Sequence, residues 1–186
     1  MTSIYSLWLP ILLSAVFVFI ASSVLHMLTP WHKSDYRGVP REAEVAAALR
    51  PLAIPPGDYM LPKPATVADL GTPEFAARMK AGPVLMMTVM PDGTTWIGGM
   101  LLKWFVYLLV VAIFAGGLAA HVIPPDPDSH VVFHTTGLAA FLGYSLALWQ
   151  MAIWYRRSLG TTVRSTVDGL IYGAITGATF VWLWPR

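Results

Sequence analysis

The chain has 186 residues, of which 56% are hydrophobic and only 12% are charged. A typical soluble domain has about 25% charged residues. This composition, with a mean hydropathy of +0.61, excludes a disordered chain, a nucleic-acid-binding module and an ordinary soluble enzyme. The absence of cysteine excludes a disulfide framework, a cysteine-ligated zinc site and a cysteine nucleophile. We therefore expect a membrane protein with a modest polar part.

Four apolar stretches are long enough to cross a bilayer, which requires about 20 residues of helix. The first lies within residues 1–28, and the region 100–186 contains the other three, at about 100–122, 131–154 and 167–184. Backbone amides in lipid must be hydrogen-bonded within the segment, so each stretch must be helical. The sequence predicts an all-α membrane protein with four transmembrane helices and a polar, partly helical insert at residues 29–99.

The positions of the basic residues predict the orientation of these helices. Seven Lys and Arg residues lie in the insert, and Arg156, Arg157 and Arg164 lie between the third and fourth spans. The connection between the second and third spans has none, and carries Asp126 and Asp128 instead. Because basic segments stay in the cytoplasm, we expect a multi-pass protein of the bacterial inner membrane with a cytoplasmic insert and both termini periplasmic. The net charge of +2 then reflects topology and needs no nucleic-acid partner.

Two short helices are predicted in the insert, over Pro40 to Arg50 and Thr72 to Lys80. In the second, Thr72 is a typical N-cap residue, and the glycine and proline that follow Ala81 are a typical stop signal. The apolar stretch Val84 to Met90 is either a strand or a segment lying at the membrane surface.

Small residues recur every four positions in three of the spans, and residues four apart share one face of a helix. Such residues let helices approach closely in lipid, where apolar side chains alone give no driving force for association. This pattern favours packing within the bundle over docking of another subunit. The residues are Gly169, Gly173 and Gly177 in the fourth span, Ala139, Gly143 and Ala147 in the third, and Ala112, Gly116 and Ala120 in the second.

Short motifs distributed over most of the chain form a recognisable set: Ser34-Asp35-Tyr36-Arg37 with Pro40, Pro56-Gly57-Asp58-Tyr59-Met60, Gly82-Pro83 through Met90-Pro91-Asp92-Gly93, Trp104-Phe105-Val106-Tyr107, Asp168-Gly169-Leu170-Ile171-Tyr172-Gly173 and Trp182-Leu183-Trp184-Pro185. Together they resemble an uncharacterised family of small four-span bacterial inner-membrane proteins. The resemblance implies a bacterial inner membrane. It implies no activity and no catalytic residue, since none is assigned to that family.

Histidine and aspartate are concentrated at the predicted outer side of the membrane. His130 and His134 share a helix face, His121 ends the second span, and Asp126 and Asp128 lie between them. Imidazole and carboxylate together suit Zn, Mn or Fe. His134 or His121 is alternatively an axial ligand of a haem or a chlorophyll. The simplest interpretation is a polar loop that meets water.

On the inner side, His26, Lys103, Asp168 and the arginine-containing loop lie at similar depth. Ionisable residues inside membranes often have a function. Here each lies at the end of a span, where a carboxylate favours the helix dipole and a lysine reaches the interface. The sequence therefore favours a structural role for them.

No catalytic motif is present, and no cofactor is indicated beyond these histidines. The sequence favours a non-catalytic accessory or scaffold subunit of a larger inner-membrane complex, of respiratory or photosynthetic type, whose partners are the lipid bilayer and other membrane subunits. One alternative is a metal- or tetrapyrrole-binding protein that uses the outer histidines. The other is a small transporter or channel, which the lack of charged residues in the middle of the membrane disfavours.

Overall fold

The structure is a computed structural model that describes residues 2–93 and 97–185. Met1, residues 94–96 of the predicted insert and Arg186 lie outside the described residues. The chain divides into a helical unit, Met1–Arg37 with Trp96–Arg186, and a polar unit, Gly38–Thr95. The polar unit is thus shorter than the predicted insert, since residues 29–37 belong to the helical unit.

Three helical segments of the helical unit are long and apolar enough to cross a membrane, which confirms the first three predicted stretches. Many of their large apolar side chains are exposed, including Leu102, Val110 and Phe114, and are compatible with contact to lipid. The segments are Ile4–Leu28, Ile97–Val122 and Ser129–Tyr155.

The first and third segments change their winding along their length. The first begins with a 3-10 turn, Ile4–Leu7, continues as α1, Trp8–Ser23, and ends in a π-helical turn, Val24–Leu28. The second segment is the single helix α4. The third consists of α5, Ser129–Ser145, a 3-10 turn at Leu146–Leu148, and α6, Trp149–Tyr155.

The fourth long helix, α7, spans Leu159–Trp182 but is more polar than the other three. Several of its polar residues face the interior: Asp168, Thr176 and Thr179 are all buried. This inward polar face lowers the average hydropathy of α7, and Arg164, Ser165 and Thr166 near its beginning are half-buried. The structure therefore establishes three apolar helices of membrane-spanning length, and a fourth long helix packed with them.

The glycine stripe of α7 lies against α5. A Cβ added at Gly169 would overlap the Oγ of Ser145, and one at Gly173 would lie 2.7 Å from the carbonyl oxygen of Gly137. A Cβ at Gly177 would lie 2.8 Å from the carbonyl oxygen of Phe133. These three glycines are needed for the close approach of the two backbones within this chain.

The other small residues are distributed differently. On α4, Ala112, Gly116 and Ala120 are buried within the bundle. A Cβ at Gly116 would lie 3.0 Å from the side chain of Ile11. The third set is less enclosed: Ala139 is half-buried, whereas Gly143 and Ala147 are exposed.

Helices α1 and α4 run antiparallel, which defines two ends of the helical unit. Early in α4, the Nε1 of Trp104 donates a hydrogen bond of 2.9 Å to the Oγ of Ser22, late in α1. Late in α4, Gly116 packs against Ile11, early in α1. One end therefore holds the C-terminal part of α1 and the beginning of α7, and the other holds the connection between α4 and α5.

Over its described residues, 38–93, the polar unit contains two short α-helices and one pair of strands. Helix α2 spans Glu42–Leu49, and helix α3 spans Pro73–Ala81. The Oγ1 of Thr72 accepts a hydrogen bond from the backbone N–H of Phe75, so Thr72 is the N-cap of α3 as its sequence predicts.

The strands β1, Gly57–Leu61, and β2, Leu85–Val89, pair antiparallel within this unit. Their register places Gly57 opposite Val89 and Leu61 opposite Leu85. Strand β2 lies within the stretch predicted to be a strand or a surface segment. The sequence analysis did not predict β1.

Candidate metal centre

The chain makes two tight turns as it leaves the first apolar helix. The Oγ1 of Thr29 donates a 2.6 Å hydrogen bond to the carbonyl oxygen of Leu25 at the helix end. The backbone N–H of Lys33 then bonds to the carbonyl of Pro30, and that of Asp35 to the carbonyl of His32. These turns fold Trp31, His32 and Asp35 back toward α7.

Asp168 is a buried carboxylate on α7, with 4% of its side chain exposed. Its Oδ1 accepts a 2.9 Å hydrogen bond from the indole Nε1 of Trp31. Within residues 2–93 and 97–185, no lysine or arginine pairs with it. A buried charge is costly unless a charge of opposite sign lies next to it, so this carboxylate requires a cation nearby.

Asp35 has the permanent cation that Asp168 lacks. Its Oδ1 accepts a 2.8 Å hydrogen bond from the Nε of Arg164 and a second bond from Nη2 of the same guanidinium. Its Oδ2 lies 2.7 Å from the Nδ1 of His32. Burial raises the pKa of Asp35, but hydrogen bonds from His32 and Arg164 outweigh it and bring the pKa below the usual 3.8. Asp35 is therefore ionised and fixed in place at neutral pH.

His32 lies between the two carboxylates. Because ionised Asp35 can only accept hydrogen bonds, the Nδ1 of His32 must carry the proton of their shared bond. In the neutral ring, Nε2 is then an acceptor with a free lone pair. This nitrogen lies 2.8 Å from the Oδ2 of Asp168.

The contact between His32 and Asp168 is short but is not a hydrogen bond. The Nε2 of His32 is buried and has no hydrogen-bond partner in the part of the chain that the structure describes, because the carboxylate oxygen lies off the direction that an N–H would take. Two acceptor atoms at 2.8 Å repel each other unless a cation lies beside both. Two ligands of one metal ion have this relationship.

His26 adds a second imidazole from the π-helical turn. Its Nδ1 lies 3.0 Å from the carbonyl oxygen of Ser22, which can only accept, so Nδ1 carries the proton and Nε2 has the free lone pair. The His26 and His32 rings are stacked, with centroids 4.0 Å apart and an interplanar angle of 9°. His26 is exposed, unlike the other two residues.

The three residues together resemble a metal site with its supporting partners. Ligand atoms of His26, His32 and Asp168 all lie within 4.8 Å of one another. The remaining polar atom of each residue is bound elsewhere: to a backbone carbonyl, to Asp35 and to Trp31 respectively. Ligands in metalloproteins are oriented in this way by outer partners, and carboxylate–histidine–metal arrangements are common.

Binding of an ion would require a small movement of one ring. Ligand atoms around a tetrahedral zinc ion lie about 3.3 Å apart, given bonds of about 2.0 Å. The ligand atoms of His32 and Asp168, at 2.8 Å, are somewhat closer than this and would have to move slightly apart. The rings of His26 and His32 are stacked, so their lone pairs lie in nearly parallel planes. His26 is the exposed ligand, so it is the ring that is free to turn toward the ion.

An apolar cavity of about 740 Å³ lies next to the centre. Trp31 and Arg164, which hold Asp168 and Asp35, also line this cavity. The other lining residues are mostly apolar and come from the end of the first segment and the beginning of α7, for example Leu25 and Val163.

The histidines and aspartates predicted as ligands at the other end do not form a group of three ligand atoms within 4.8 Å of one another in the described part of the chain. His121 is exposed, and its Nδ1 lies 2.8 Å from the carbonyl of Gly117 in its own helix. The rings of His130 and His134 are stacked at 6.3 Å and are also exposed. Asp126 is exposed and has a positive φ of 54°.

Asp128 is the N-cap of α5, because its Oδ1 accepts a 2.7 Å hydrogen bond from the backbone N–H of His130. Among the described residues, His26, His32 and Asp168 form the one group of three potential ligands close enough to share an ion.

Sequence reasoning placed His26 and Asp168 at the same depth but missed His32, Asp35 and their connection. One sequence feature does point to this site: the Trp31-His32 pair directly follows an apolar helix. In the structure both side chains fold back to contact Asp168. Comparisons of the chain with family models, with curated proteins and with solved structures find no match.

Proposed function

We propose that this chain is a membrane protein that binds one divalent transition-metal ion through His26, His32 and Asp168. The observation that carries the proposal is the 2.8 Å separation of the Nε2 of His32 and the Oδ2 of Asp168, outside hydrogen-bond geometry. Two imidazoles and one carboxylate suit Zn²⁺, Fe²⁺ and Mn²⁺. This is the metal-binding alternative of the sequence analysis, moved to the opposite end of the bundle.

Charge supports a metal ion at this place. Arg164 and Asp35 neutralise each other, which leaves the charge of Asp168 without a permanent partner. A proton on His32 would supply one positive charge, but it would point along the ring plane, away from the direction in which the carboxylate oxygen lies. A metal ion accepts both atoms at once and is not restricted to that direction.

We also propose that α7 is the fourth transmembrane span. Its 24 residues make a helix about 36 Å long, and its exposed face includes Val163, Leu170 and Ile171. A polar interior face and an apolar outer face are what a membrane helix with inward polar groups requires. The basic residues then orient the insert, and the metal centre with it, toward the cytoplasm.

Metal binding is tested directly on the detergent-purified, chelator-treated protein. We expect isothermal titration with Zn²⁺ to show one site, and D168N to weaken binding by more than about 100-fold, since outer partners alone are worth 10–100-fold. The matched control is D126N, an exposed aspartate at the other end, which should bind as the unchanged protein does. Absence of zinc binding, or equal affinity of D168N, would refute the proposal.

The topology is tested by labelling single cysteines, because the chain has none of its own. With four spans, a membrane-impermeant maleimide should label P185C and S129C in intact cells, and A65C only after the cells are opened. If α7 does not cross, Pro185 lies on the same side as the arginine-containing loop. P185C would then be protected like A65C, which would refute the fourth span.

The scaffold function stays a prediction of the sequence. Fewer small-residue helix faces are available to a partner subunit than the sequence suggested, because α5 of the same chain packs against Gly169, Gly173 and Gly177. Of the third set, Gly143 packs against Val111 of α4, where a Cβ would lie 3.2 Å from that side chain. The exposed Ala147 would remain for a partner helix. Co-purification in mild detergent tests this function, and a protein without partner subunits would refute it.

A further inference from the structure

A buried phenol close to the proposed metal centre has no hydrogen-bond partner. The side chain of Tyr172 is 3% exposed, and its hydroxyl oxygen is unpaired within the described residues 2–93 and 97–185. A buried hydroxyl without a hydrogen-bond partner is destabilising, because its bonds to water are lost and not replaced. Such an atom suggests that another group binds there.

Tyr172 lies one helical turn after Asp168 on α7. Long side chains on a helix point back toward its N-terminus and cover the preceding turn, which brings the phenol toward the level of Asp168. Residues four apart share one face of a helix, with Cβ atoms about 5–6 Å apart, so Asp168 and Tyr172 are neighbours on the surface of α7. The hydroxyl therefore belongs to the surroundings of the metal centre.

The ring of Tyr172 is fixed by two other aromatic rings. Its centroid lies 6.4 Å from that of Trp104 and 5.6 Å from that of Tyr144. Trp104 is itself anchored by its bond to Ser22, the residue whose carbonyl accepts the bond from His26. The phenol is therefore held in a defined position relative to two of the ligands.

The net charge of the proposed metal centre and its number of protein ligands indicate what would occupy the remaining coordination position of the ion. Three protein ligands leave at least one position of a tetrahedral ion open, as in sites that bind water or substrate. A divalent ion with Asp168 as its one charged ligand has a net charge of +1, since Asp35 and Arg164 cancel. In buried surroundings, one small anion would neutralise that charge.

We propose that the metal centre keeps an open coordination position for a small anion, and that the hydroxyl of Tyr172 donates a hydrogen bond to this anion. Tyr172 is then a positioning residue for an exogenous ligand and is not itself a ligand of the metal. The apolar cavity beside the centre, lined by Trp31 and Arg164, is open space next to the partners of the proposed ligands. This inference rests on the proposed function.

Cobalt and azide provide the test. Co²⁺ replaces Zn²⁺ in such sites and has visible absorption bands that respond to a change of ligand. We expect Co²⁺ to bind to the full chain and azide to shift its bands. In Y172F the Co²⁺ affinity should be unchanged and the azide affinity reduced by about 10-fold or more, because a hydrogen bond to a charged acceptor is lost. The matched control is Y144F, which removes the neighbouring buried phenol and should leave azide binding unchanged.

The outcomes separate the two proposals. If Co²⁺ does not bind, the proposed function itself fails. If Co²⁺ binds but azide leaves its spectrum unchanged, the centre is closed and only this inference is overturned. If azide binds equally well to Y172F and to the unchanged protein, the role of Tyr172 is overturned.

Discussion

The two ends of the helical unit both contain histidine and aspartate, but they hold these residues in different ways. At one end His32, Asp35 and Asp168 are largely buried, and each contacts a residue on another part of the chain. At the other end His121 and His134 are exposed. There, His121 contacts the carbonyl group of a residue in its own helix.

This difference shows that residues close in sequence need not converge in space, whereas residues far apart in sequence can. His121, His130 and His134 lie within 14 positions of one another. The rings of His130 and His134 stack, but among the described residues no third ligand joins them. The bond from Trp31 to Asp168 joins residues 137 positions apart. A metal centre needs ligand atoms that converge and partners that hold them, and only tertiary packing provides both here.

The largest effect should follow from loosening the packing beside Asp168. A methyl group in G169A would approach the Cβ of Ser145 to 2.8 Å, so we expect a loss of about 3 kcal/mol in stability and weaker zinc binding. G117A, at the other end, would place its methyl 3.7 Å from Ile4 and should cost nothing. Thermal unfolding followed by circular dichroism measures both. Equal melting temperatures would show that the two ends are packed alike.

The next effect concerns the aspartate that orients His32. In D35N the pairing with Arg164 and the charged acceptor for His32 are both lost. We expect zinc affinity, measured by titration calorimetry, to fall by about 10–100-fold, the usual effect of removing an outer partner. An affinity equal to that of the unchanged protein would mean that Asp35 is not an outer partner of the centre.

The aspartate at the other end should behave in the opposite way. D128A removes the N-cap of α5, so we expect a loss of about 1 kcal/mol in stability with unchanged zinc affinity. The same calorimetric and thermal measurements apply. A loss of zinc affinity in D128A would restore the outer residues as candidate ligands.

The smallest predicted effect distinguishes two exposed histidines, one at each end of the helical unit. His26 and His121 are both exposed, but only His26 is a proposed ligand. We expect zinc to slow the reaction of His26 with diethyl pyrocarbonate several-fold and to leave His121 unaffected, as followed by peptide mass spectrometry. Equal protection of both residues would contradict the assignment of His26.

The sequence predicted what depends on local chemistry. Apolar runs of sufficient length became helices, because a chain in lipid must satisfy its own amides. The N-cap of α3 at Thr72 was also predicted, since it depends on a few adjacent residues. Strand β1 was not predicted, because its five-residue segment gains its pairing from β2, which begins at Leu85.

The candidate centre was missed for the same physical reason. Its outer partners come from a turn after α1 and from α7, and no spacing rule connects His32 to Asp168. The residues that spacing did connect, such as His130 and His134, share a helix face. A shared face brings two rings together but does not add the third ligand or the buried acceptors that orient them.

The hydrogen bond from Trp31 to Asp168 also bears on how the protein is made. Residue 168 leaves the ribosome 137 residues later than its indole partner. Until then, the turn that carries Trp31, His32 and Asp35 has neither Asp168 nor Arg164 to hold it. The arrangement is therefore completed only once α7 has packed beside the first helix, so that its formation reports on the docking of α7.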